Sequence, residues 1–288
     1  MSDKEEILVV HLGGLGDVCL SESVFLSLRE HFGDCLAALG NRRFLDLFGG
    51  YFKRTQGVES RHWLYLFSER LTGPRWRRIV FVGKDRQGLI RQRWKVYSEE
   101  ELIFIEMYPE GAFGPLTRGE TRRVDVAAVH IEDYQLAQLN AFGIAPRWKT
   151  IAGGRDDRVI LYPEAGFSKE KWPVENFVAL FRSLKERGVE VVLLRPADLS
   201  VPLKETVFFE DLPEVKNFFG EGGLFISNDS GMAHLAGACG LSTVTIFTGF
   251  DPAIWHPRGR NISLKTGVDR IDVKSITKLI GTIMTSSQ

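Results

Sequence analysis

Several features that would place the chain in a specialised class are scarce or missing. Three cysteines occur among 288 residues, at Cys19, Cys35 and Cys239, and none forms a CxxC pair, which predicts reduced thiols. No apolar run approaches the length of a membrane-spanning helix, and the first residues lack the apolar core of a secretory signal. The formal net charge is zero, which does not favour nucleic acid as a partner. We therefore expect a cytoplasmic globular protein.

What the chain does contain is a regular alternation of short apolar runs and amphipathic stretches. The runs typical of buried strands are 7–12, 35–39, 79–82, 102–105, 126–129, 159–162, 189–194, 224–227 and 243–247. Helical spacing falls between and after them, in 18–32, 131–142, 174–187, 213–219, 231–238 and 272–284. Such alternation predicts parallel sheets with helices on both faces.

A segment rich in proline, glycine and charge, Ile144–Arg158, interrupts the alternation near the middle of the chain. The length of the chain and this break predict two α/β domains, at 1–150 and 151–288, with a last helix that can cross back to the first domain. Ligands of such sheets bind beyond the carboxyl ends of the strands. We therefore expect the site in a cleft between the two domains.

The most informative stretch is an apolar run followed by a polar turn and a helix, LFISNDSGMAHLA at 224–236. Asp229 is a natural N-cap there, and Ser230 and Gly231 leave room for an anion at the first helical turn. Free backbone N–H groups and the positive end of the helix dipole favour a phosphate at this place. His234, one turn into the helix, either contacts the phosphate or packs in the core. The alternative is a capped core helix without a ligand.

The loop Gly13-Gly14-Leu15-Gly16-Asp17 also joins a predicted strand to a predicted helix. It carries the first two glycines of a dinucleotide fingerprint, but Cys19 stands in the place of the third. Arg42 and Arg43 after the second strand suit a 2′-phosphate, which keeps an NADP enzyme as an alternative. We expect Asp17 to face the cleft as a general base, and its alternative role is to cap the helix.

Two lysines, Lys169 and Lys171, lie in the turn 162–173 that follows the first strand of the second half. A lysine there supplies a point charge to a phosphate. Trp172-Pro173 fixes the turn by packing and by the locked proline φ. Solvated lysines on a surface loop are the alternative.

A strongly basic segment runs from Arg61 to Lys95, where ten basic residues stand against two acidic ones. Three tryptophans are interleaved with them, at Trp63, Trp76 and Trp94. Such a surface attracts an anionic partner: a phosphorylated glycan, a lipid head group or nucleic acid. The alternative is a solvated face neutralised by acids elsewhere, such as those at 99–101.

In combination, three motifs resemble the ADP-heptose:lipopolysaccharide heptosyltransferases, glycosyltransferase family nine. They are Gly16-Asp17, then Lys171-Trp172-Pro173, and then the segment from Asp229 to His234 with Trp255-His256-Pro257. The resemblance implies an α/β GT-B fold of two Rossmann-like domains. It implies inverting transfer of a heptose from ADP-heptose to a lipopolysaccharide-type acceptor, with no obligatory cofactor or metal. It also implies peripheral contact with the inner membrane face, where the basic segment meets the acceptor.

The same resemblance implies roles for individual residues. Asp17 is the base that deprotonates the acceptor hydroxyl, and Lys171 is the second catalytic residue. The residues implied to bind the nucleotide sugar are Gly14, Gly16, Lys169, Asp198, Asp229, Ser230, Gly231, Met232 and His234.

Two departures from the family pattern keep alternatives open. Glu170 stands two places before Trp172, where the family has its lysine. Asp198 follows Arg195-Pro196-Ala197, where the family has a glycine-rich turn before the acid that reaches the ribose. A GT-B protein that binds without catalysing transfer is the first alternative, and an NADP-dependent oxidoreductase is the second.

Overall fold

The computed structural model describes residues 6–69, 71–110, 112, 129–164, 171–196, 203, 205–265 and 271–286. Within this part the chain divides into two compact units. The first comprises the residues up to Ala112 together with Val129–Lys149, and the second comprises the residues from Thr150 onward. Each unit is built around its own parallel sheet.

The sheet of the first unit is made of β1 (Ile7–His11), β2 (Leu36–Gly40), β3 (Arg54–Gly57), β4 (Arg78–Gly83) and β5 (Ile103–Glu106). The strands pair in parallel in the order β3-β2-β1-β4-β5. Strands β1 and β2 are buried along their whole length, as continuous apolar runs predict for the centre of a parallel sheet. Strand β3 was not predicted, because its polar sequence RTQG lies partly exposed at an edge.

The helices in the described part of this unit are α1 (Leu15–Leu20), α2 (Glu22–Phe32), α3 (Arg42–Leu45), α4 (Leu64–Phe67), α5 (Leu89–Trp94) and α6 (Ile131–Leu139). The prediction of one helix over 18–32 is wrong, because helical structure begins at Leu15 and is interrupted at Ser21. The predicted end of the helix at Gly143 is confirmed. One 3₁₀ turn follows α6, and Gly143, with a left-handed φ of 70°, then ends the helical structure. The predicted strand at 126–129 falls outside the described residues except for Val129.

The core of the first unit contains the three tryptophans of the basic segment. Trp63, Trp76 and Trp94 are at most 1% exposed, and the rings of Trp63 and Trp76 stack at 5.9 Å. The expectation that tryptophans interleave with arginines on the surface is therefore wrong. The described arginines of the segment are exposed or half-buried, whereas the three tryptophans pack in the core.

The sheet of the second unit is made of β6 (Val159–Tyr162), β7 (Val191–Leu194), β8 (Thr206–Val207), β9 (Leu224–Asn228), β10 (Ser242–Phe247) and β11 (Asn261–Lys265). The strands pair in parallel in the order β11-β10-β9-β6-β7-β8. Strands β6, β7, β9 and β10 confirm the predicted apolar runs. The edge strands β8 and β11 were missed, because the first has two residues and the second alternates polar and apolar side chains.

The helices in the described part of the second unit are α7 (Val174–Glu186), α8 (Leu212–Gly220), α9 (Gly231–Ala238), α10 (Pro252–Trp255) and α11 (Val273–Ser286). Helix α11 packs against α7 and contributes Ile276 and Ile280 to the core of the second sheet. Because all strands of this sheet are parallel, the residues that follow β6 and β9 emerge at the same edge. In the described part of the chain, no helix has the length and apolar character needed to cross a membrane.

Candidate functional site

The turn between β9 and α9 positions the candidate anion site of the second unit. Ser230 is the N-cap of α9, and its Oγ accepts the backbone N–H of Ala233 at 3.3 Å. The expectation that Asp229 is the N-cap is therefore wrong. Asp229 lies one residue earlier, where its backbone N–H donates to the Ile246 carbonyl at 2.9 Å and extends the pairing of β9 with β10.

The first turn of α9 presents two backbone N–H groups that have no acceptor within the helix, those of Gly231 and Met232. Both residues are partly exposed, whereas the following residues from Ala233 to Gly237 are buried. The positive end of the helix dipole lies at the same place. The fold thus places the start of a capped helix at Ser230, and the binding of an anion by Ser230, Gly231 and Met232 stays a prediction.

Asp229 and His234 form a polar pair beside this helix start. The Nε2 atom of His234 lies 3.9 Å from Oδ1 of Asp229, and the two side chains are 7% and 12% exposed. Burial raises the pKa of Asp229 to about 7, because water that would solvate the carboxylate is excluded. Near neutral pH this side chain therefore exists in both protonation states, so that it can donate or accept a hydrogen bond.

Asn228, which the sequence analysis did not single out, connects this turn to the lysine-bearing loop. Its Oδ1 accepts the backbone N–H of Trp172 at 2.8 Å, and its Nδ2 donates to the Trp172 carbonyl at 3.3 Å. The indole of Trp172 is fully buried and donates to the Ile271 carbonyl at 2.9 Å. A buried asparagine at the end of a strand needs such partners, but its position in the sequence does not identify them.

Of the two lysines predicted to bind the donor, only Lys171 lies among the described residues. Lys171 is exposed and directly precedes the anchored Trp172, so its backbone is held next to the end of β9. Lys169, Glu170 and Asp198 lie outside the described residues. The predicted contributions of Lys169 and Asp198 to donor binding therefore remain predictions.

In the first unit, Asp17 occupies the third position of α1. Its Oδ2 accepts the backbone N–H of Gly14, the N-cap residue, at 2.8 Å. The capping role named as the alternative for Asp17 is thus observed, and it engages one carboxylate oxygen. Burial raises the pKa of Asp17 above its ordinary value, and the Gly14 N–H opposes this shift. A carboxylate with a raised pKa is a stronger base.

The glycine that the Asp17 site requires is Gly13. A Cβ atom at Gly13 would lie 2.6 Å from Cβ of Asp17 and 2.9 Å from Cε1 of His11, whereas one at Gly14 would meet only Oδ2 of Asp17 at 3.6 Å. The glycines predicted from the sequence to bind the donor are instead Gly14 and Gly16. Both lie in the first unit, whereas the other predicted donor-binding residues lie in the second.

A cavity of about 620 Å³ opens beside the Gly13-Gly14 segment. Its wall is mostly apolar, with one carboxamide, and consists of Leu12, Gly13, Gly14, Asn41, Phe44, Val58 and Phe67. The Phe67 carbonyl accepts from Arg93 Nη1 at 2.6 Å, and the Phe67 ring packs edge-on against Trp94. These contacts hold the Phe67 wall in place.

Half of the basic segment is neutralised within the first unit. Glu100 pairs with Arg77 and Arg78, Glu106 pairs with Lys84 and Arg91, and Glu69 pairs with Arg93. Neutralisation by acids elsewhere, the alternative named for this segment, accounts for the four residues paired with Glu100 and Glu106, whereas Glu69 lies within the segment itself. Four other basic residues have no ion pair within the described part of the chain: Arg61, Arg75, Arg86 and Lys95.

The segment that carries the start of α9 is similar to a known protein family. Residues 210–271, which contain β9, the Asp229 turn and α9, match the family model glycosyltransferase family 9 (heptosyltransferase). A comparison with curated protein sequences gives no match.

Solved structures match over nearly the whole chain. A glycosyltransferase family 9 protein from Veillonella parvula DSM 2008 has a TM-score of 0.69 at 15% identity and covers 100% of this chain and 99% of its own. The E. coli heptosyltransferase WaaC with ADP has a TM-score of 0.68 at 14% identity, with coverages of 96% and 99%. The E. coli ADP-heptose lps heptosyltransferase II has a TM-score of 0.66 at 14% identity, with coverages of 98% and 99%.

The two parallel α/β sheets and their structural neighbours define the class of the protein, a GT-B fold of two Rossmann-like domains. The match over 210–271 narrows this class. Over this segment the chain is similar to glycosyltransferase family 9 (heptosyltransferase), in agreement with the resemblance seen in the sequence motifs.

Proposed function

We propose that the chain transfers a heptose from a nucleotide sugar, ADP-heptose, to a hydroxyl of a lipopolysaccharide-type glycan, with inversion at the anomeric carbon. The observation that carries this proposal is the Ser230-capped start of α9, flanked by Asp229 and His234, inside the segment that matches the family model. Structures of the E. coli neighbour WaaC contain ADP and ADP-2-deoxy-2-fluoro heptose, which supports this class of donor.

The donor diphosphate is assigned to the second unit. The N–H groups of Gly231 and Met232 point away from the helix at its positive end, and they supply fixed donors for phosphate oxygens. The Ser230 hydroxyl accepts from Ala233 and keeps its own hydrogen for the ligand. Lys171, with Lys169 in the same turn, supplies positive charge, and Asp229 and His234 contact the donor beside the diphosphate. Asp198 is assigned to the ribose.

The reaction assigned to Asp17, the start of α9 and the lysine is a single displacement. The Asp17 carboxylate takes the proton of the acceptor hydroxyl while that oxygen forms a bond to the anomeric carbon. The bond from this carbon to the diphosphate oxygen breaks, and its electron pair leaves with the nucleotide. The α9 dipole, the free N–H groups and the lysine stabilise the negative charge that develops on the leaving group. Attack opposite to the leaving group inverts the configuration. This scheme calls for no obligatory cofactor or metal.

The acceptor is assigned to the first unit, near Asp17. The apolar cavity beside Gly13-Gly14 suits the face of a sugar ring or another uncharged part of the acceptor. The four basic residues without ion pairs offer charge to its anionic groups or to lipid head groups. Enzymes that act on lipid-linked glycans work at a membrane surface, so we assign the protein to the cytoplasm with peripheral contact at the inner membrane face.

Two measurements test this function. Thermal shifts are first recorded with ADP-, UDP-, GDP- and CDP-sugars and with NADPH, because a ligand that binds the folded state raises the melting temperature. ADP-heptose is expected to give the largest shift. Transfer is then measured with ADP-heptose and heptose-free lipopolysaccharide, and the anomeric configuration of the product is determined by NMR. A shift without transfer supports the non-catalytic GT-B alternative, and a shift only with NADPH supports the oxidoreductase.

A further inference from the structure

The buried imidazole of His11 contacts both ends of the short helix that carries Asp17. His11 is the last residue of β1 and is completely buried. The backbone N–H of Gly13, before α1, donates to its Nδ1 at 3.3 Å. Its Nε2 lies 3.1 Å from the Oγ of Ser21, the residue after α1. Because Nδ1 accepts, Nε2 carries the proton and donates to the Ser21 hydroxyl.

Packing leaves this group little freedom to move. The His11 ring meets the ring of Phe25, on α2, edge-on at 5.8 Å. A hypothetical Cβ at Gly13 would collide with both His11 and Asp17, so the three residues are in close contact. Movement of the imidazole would therefore displace the loop and the carboxylate together.

Helix α1 depends on such contacts for its position. It has six residues, and helices of this length are not stable alone in water. The Gly14 N–H that holds Oδ2 of Asp17 is one residue from the Gly13 N–H that His11 holds. The orientation of the Asp17 carboxylate thus follows from where His11 fixes the loop.

We propose that His11 is a positioning residue for Asp17, which it orients by tethering Gly13 and Ser21 at the two ends of α1. The inference rests on the proposed function for the role of Asp17 as a base. His11 itself contacts neither donor nor acceptor in this scheme. Its contribution is to hold the carboxylate in the orientation that proton transfer needs.

The charge state of His11 agrees with this role. Burial lowers the pKa of His11 to about 4, against the opposing effect of the carbonyl groups of His11 and Asp17. The imidazole is therefore neutral in the physiological range and keeps one acceptor and one donor. Among the described residues, Tyr108 after β5 is coupled to Asp17. Burial and then the Asp17 charge raise the pKa of Tyr108, Arg86 lowers it, and Glu106 raises it.

The test compares H11L, H11Q and S21A with the matched control S27A. Leucine removes both tethers, glutamine retains one N–H donor group and one acceptor, and S21A removes one tether while keeping the imidazole. Ser27 is buried on α2, where its hydroxyl donates to the Ser23 carbonyl at 2.7 Å and accepts the Arg147 N–H at 2.9 Å. Melting temperature, kcat, KM for ADP-heptose and the Asp17 pKa, from ¹³C NMR of the carboxyl carbon, are measured for each variant.

We expect H11L to lower kcat by at least about tenfold with KM for ADP-heptose unchanged, and S21A to lower it less. H11Q is expected to recover part of the loss. S27A is expected to match the wild type in kcat and in the Asp17 pKa, with a lower melting temperature because the Arg147 N–H loses its acceptor. The Asp17 pKa is expected to rise in H11L and S21A, because the Gly14 N–H that lowers it is no longer held in place. Unchanged kcat and Asp17 pKa in S21A and in folded H11L would overturn the inference. If the wild type transfers no sugar, the proposed function fails, and the NMR comparison still decides whether His11 orients Asp17.

Discussion

The carboxamide of Asn228 holds the backbone of Trp172 through both of its polar atoms, at 2.8 Å to the N–H and 3.3 Å to the carbonyl. Asn228 ends β9, and the next residue is Asp229 of the anion site. Trp172 directly follows Lys171. One side chain therefore fixes the distance between the lysine-bearing loop and the start of α9.

We expect N228A to lower the free energy of unfolding by about 1–3 kcal/mol, because two buried backbone groups of Trp172 lose their partner. We also expect KM for the nucleotide sugar to rise, because Lys171 is no longer held near the diphosphate. Asn261 on β11 offers a matched control, since its amide bonds to Thr243 and Thr245 away from the donor groups. N261A should lose stability without a change in donor KM. An unaltered donor KM in N228A would contradict the role assigned to this contact.

The raised pKa of Asp229 predicts an unusual pH dependence of stability. In the folded protein, burial raises this pKa to about 7, whereas an unfolded aspartate titrates near about 3.9. Between these values the folded state binds more protons, so the contribution of Asp229 to stability falls as the pH rises. The expected loss over this range is about 4 kcal/mol, because each tenfold change in proton affinity is worth about 1.4 kcal/mol.

Urea unfolding of wild type and D229N at about pH 5 and about pH 8 measures this effect. Asparagine cannot ionise, so D229N should be more stable relative to wild type at the higher pH, by up to the amount given above. A stability difference that is the same at both pH values would show that Asp229 is ionised throughout.

The contact distances around Asp17 predict opposite outcomes for two adjacent glycines. G13A places a methyl group 2.6 Å from Cβ of Asp17, and the loop must shift to relieve the overlap. We expect a strong loss of transfer and a lower melting temperature. G14A meets only Oδ2 of Asp17 at 3.6 Å, which is ordinary contact, so stability and transfer should change little. Equal effects of the two substitutions, measured by melting temperature and kcat, would contradict the geometry.

Much of this fold could be predicted from the sequence, because its central strands are buried on both faces and appear as continuous apolar runs. Strand β9 and helix α9 are examples, since the change from apolar run to Asp229-Ser230-Gly231 marks the junction. Edge strands such as β3 carry no such signal, because exposure removes the selection for apolar residues.

The site was predictable as a set of motifs but not as contacts. The N-cap of α9 was assigned to Asp229 instead of Ser230, because both side chains suit that position and only backbone geometry separates them. The partnership of Asn228 with Trp172 joins residues 56 positions apart, and no local pattern encodes it. The tether from His11 to Ser21 is hidden for the same reason.

The cap of α9 allows stability and donor binding to be separated. We expect S230A to lower the free energy of unfolding by about 1 kcal/mol, because Ala233 loses its acceptor, and also to weaken ADP binding. Asp211 caps α8 through the Glu214 N–H at 3.0 Å, so D211A removes a comparable cap. Calorimetric titration with ADP should show weaker binding in S230A alone. Equal weakening in both variants would assign the effect to stability.

Asp17 is assigned the role of the base for sugar transfer, and the D17N substitution tests this role most directly. Asparagine keeps an oxygen for the Gly14 N–H but cannot take a proton. E22Q is the matched control, because Glu22 is a buried acid at the start of α2 whose carboxylate accepts from Tyr51. With ADP-heptose and heptose-free lipopolysaccharide, kcat of D17N should fall at least about a hundredfold with donor KM unchanged, while E22Q retains activity. Wild-type kcat in D17N would contradict the account.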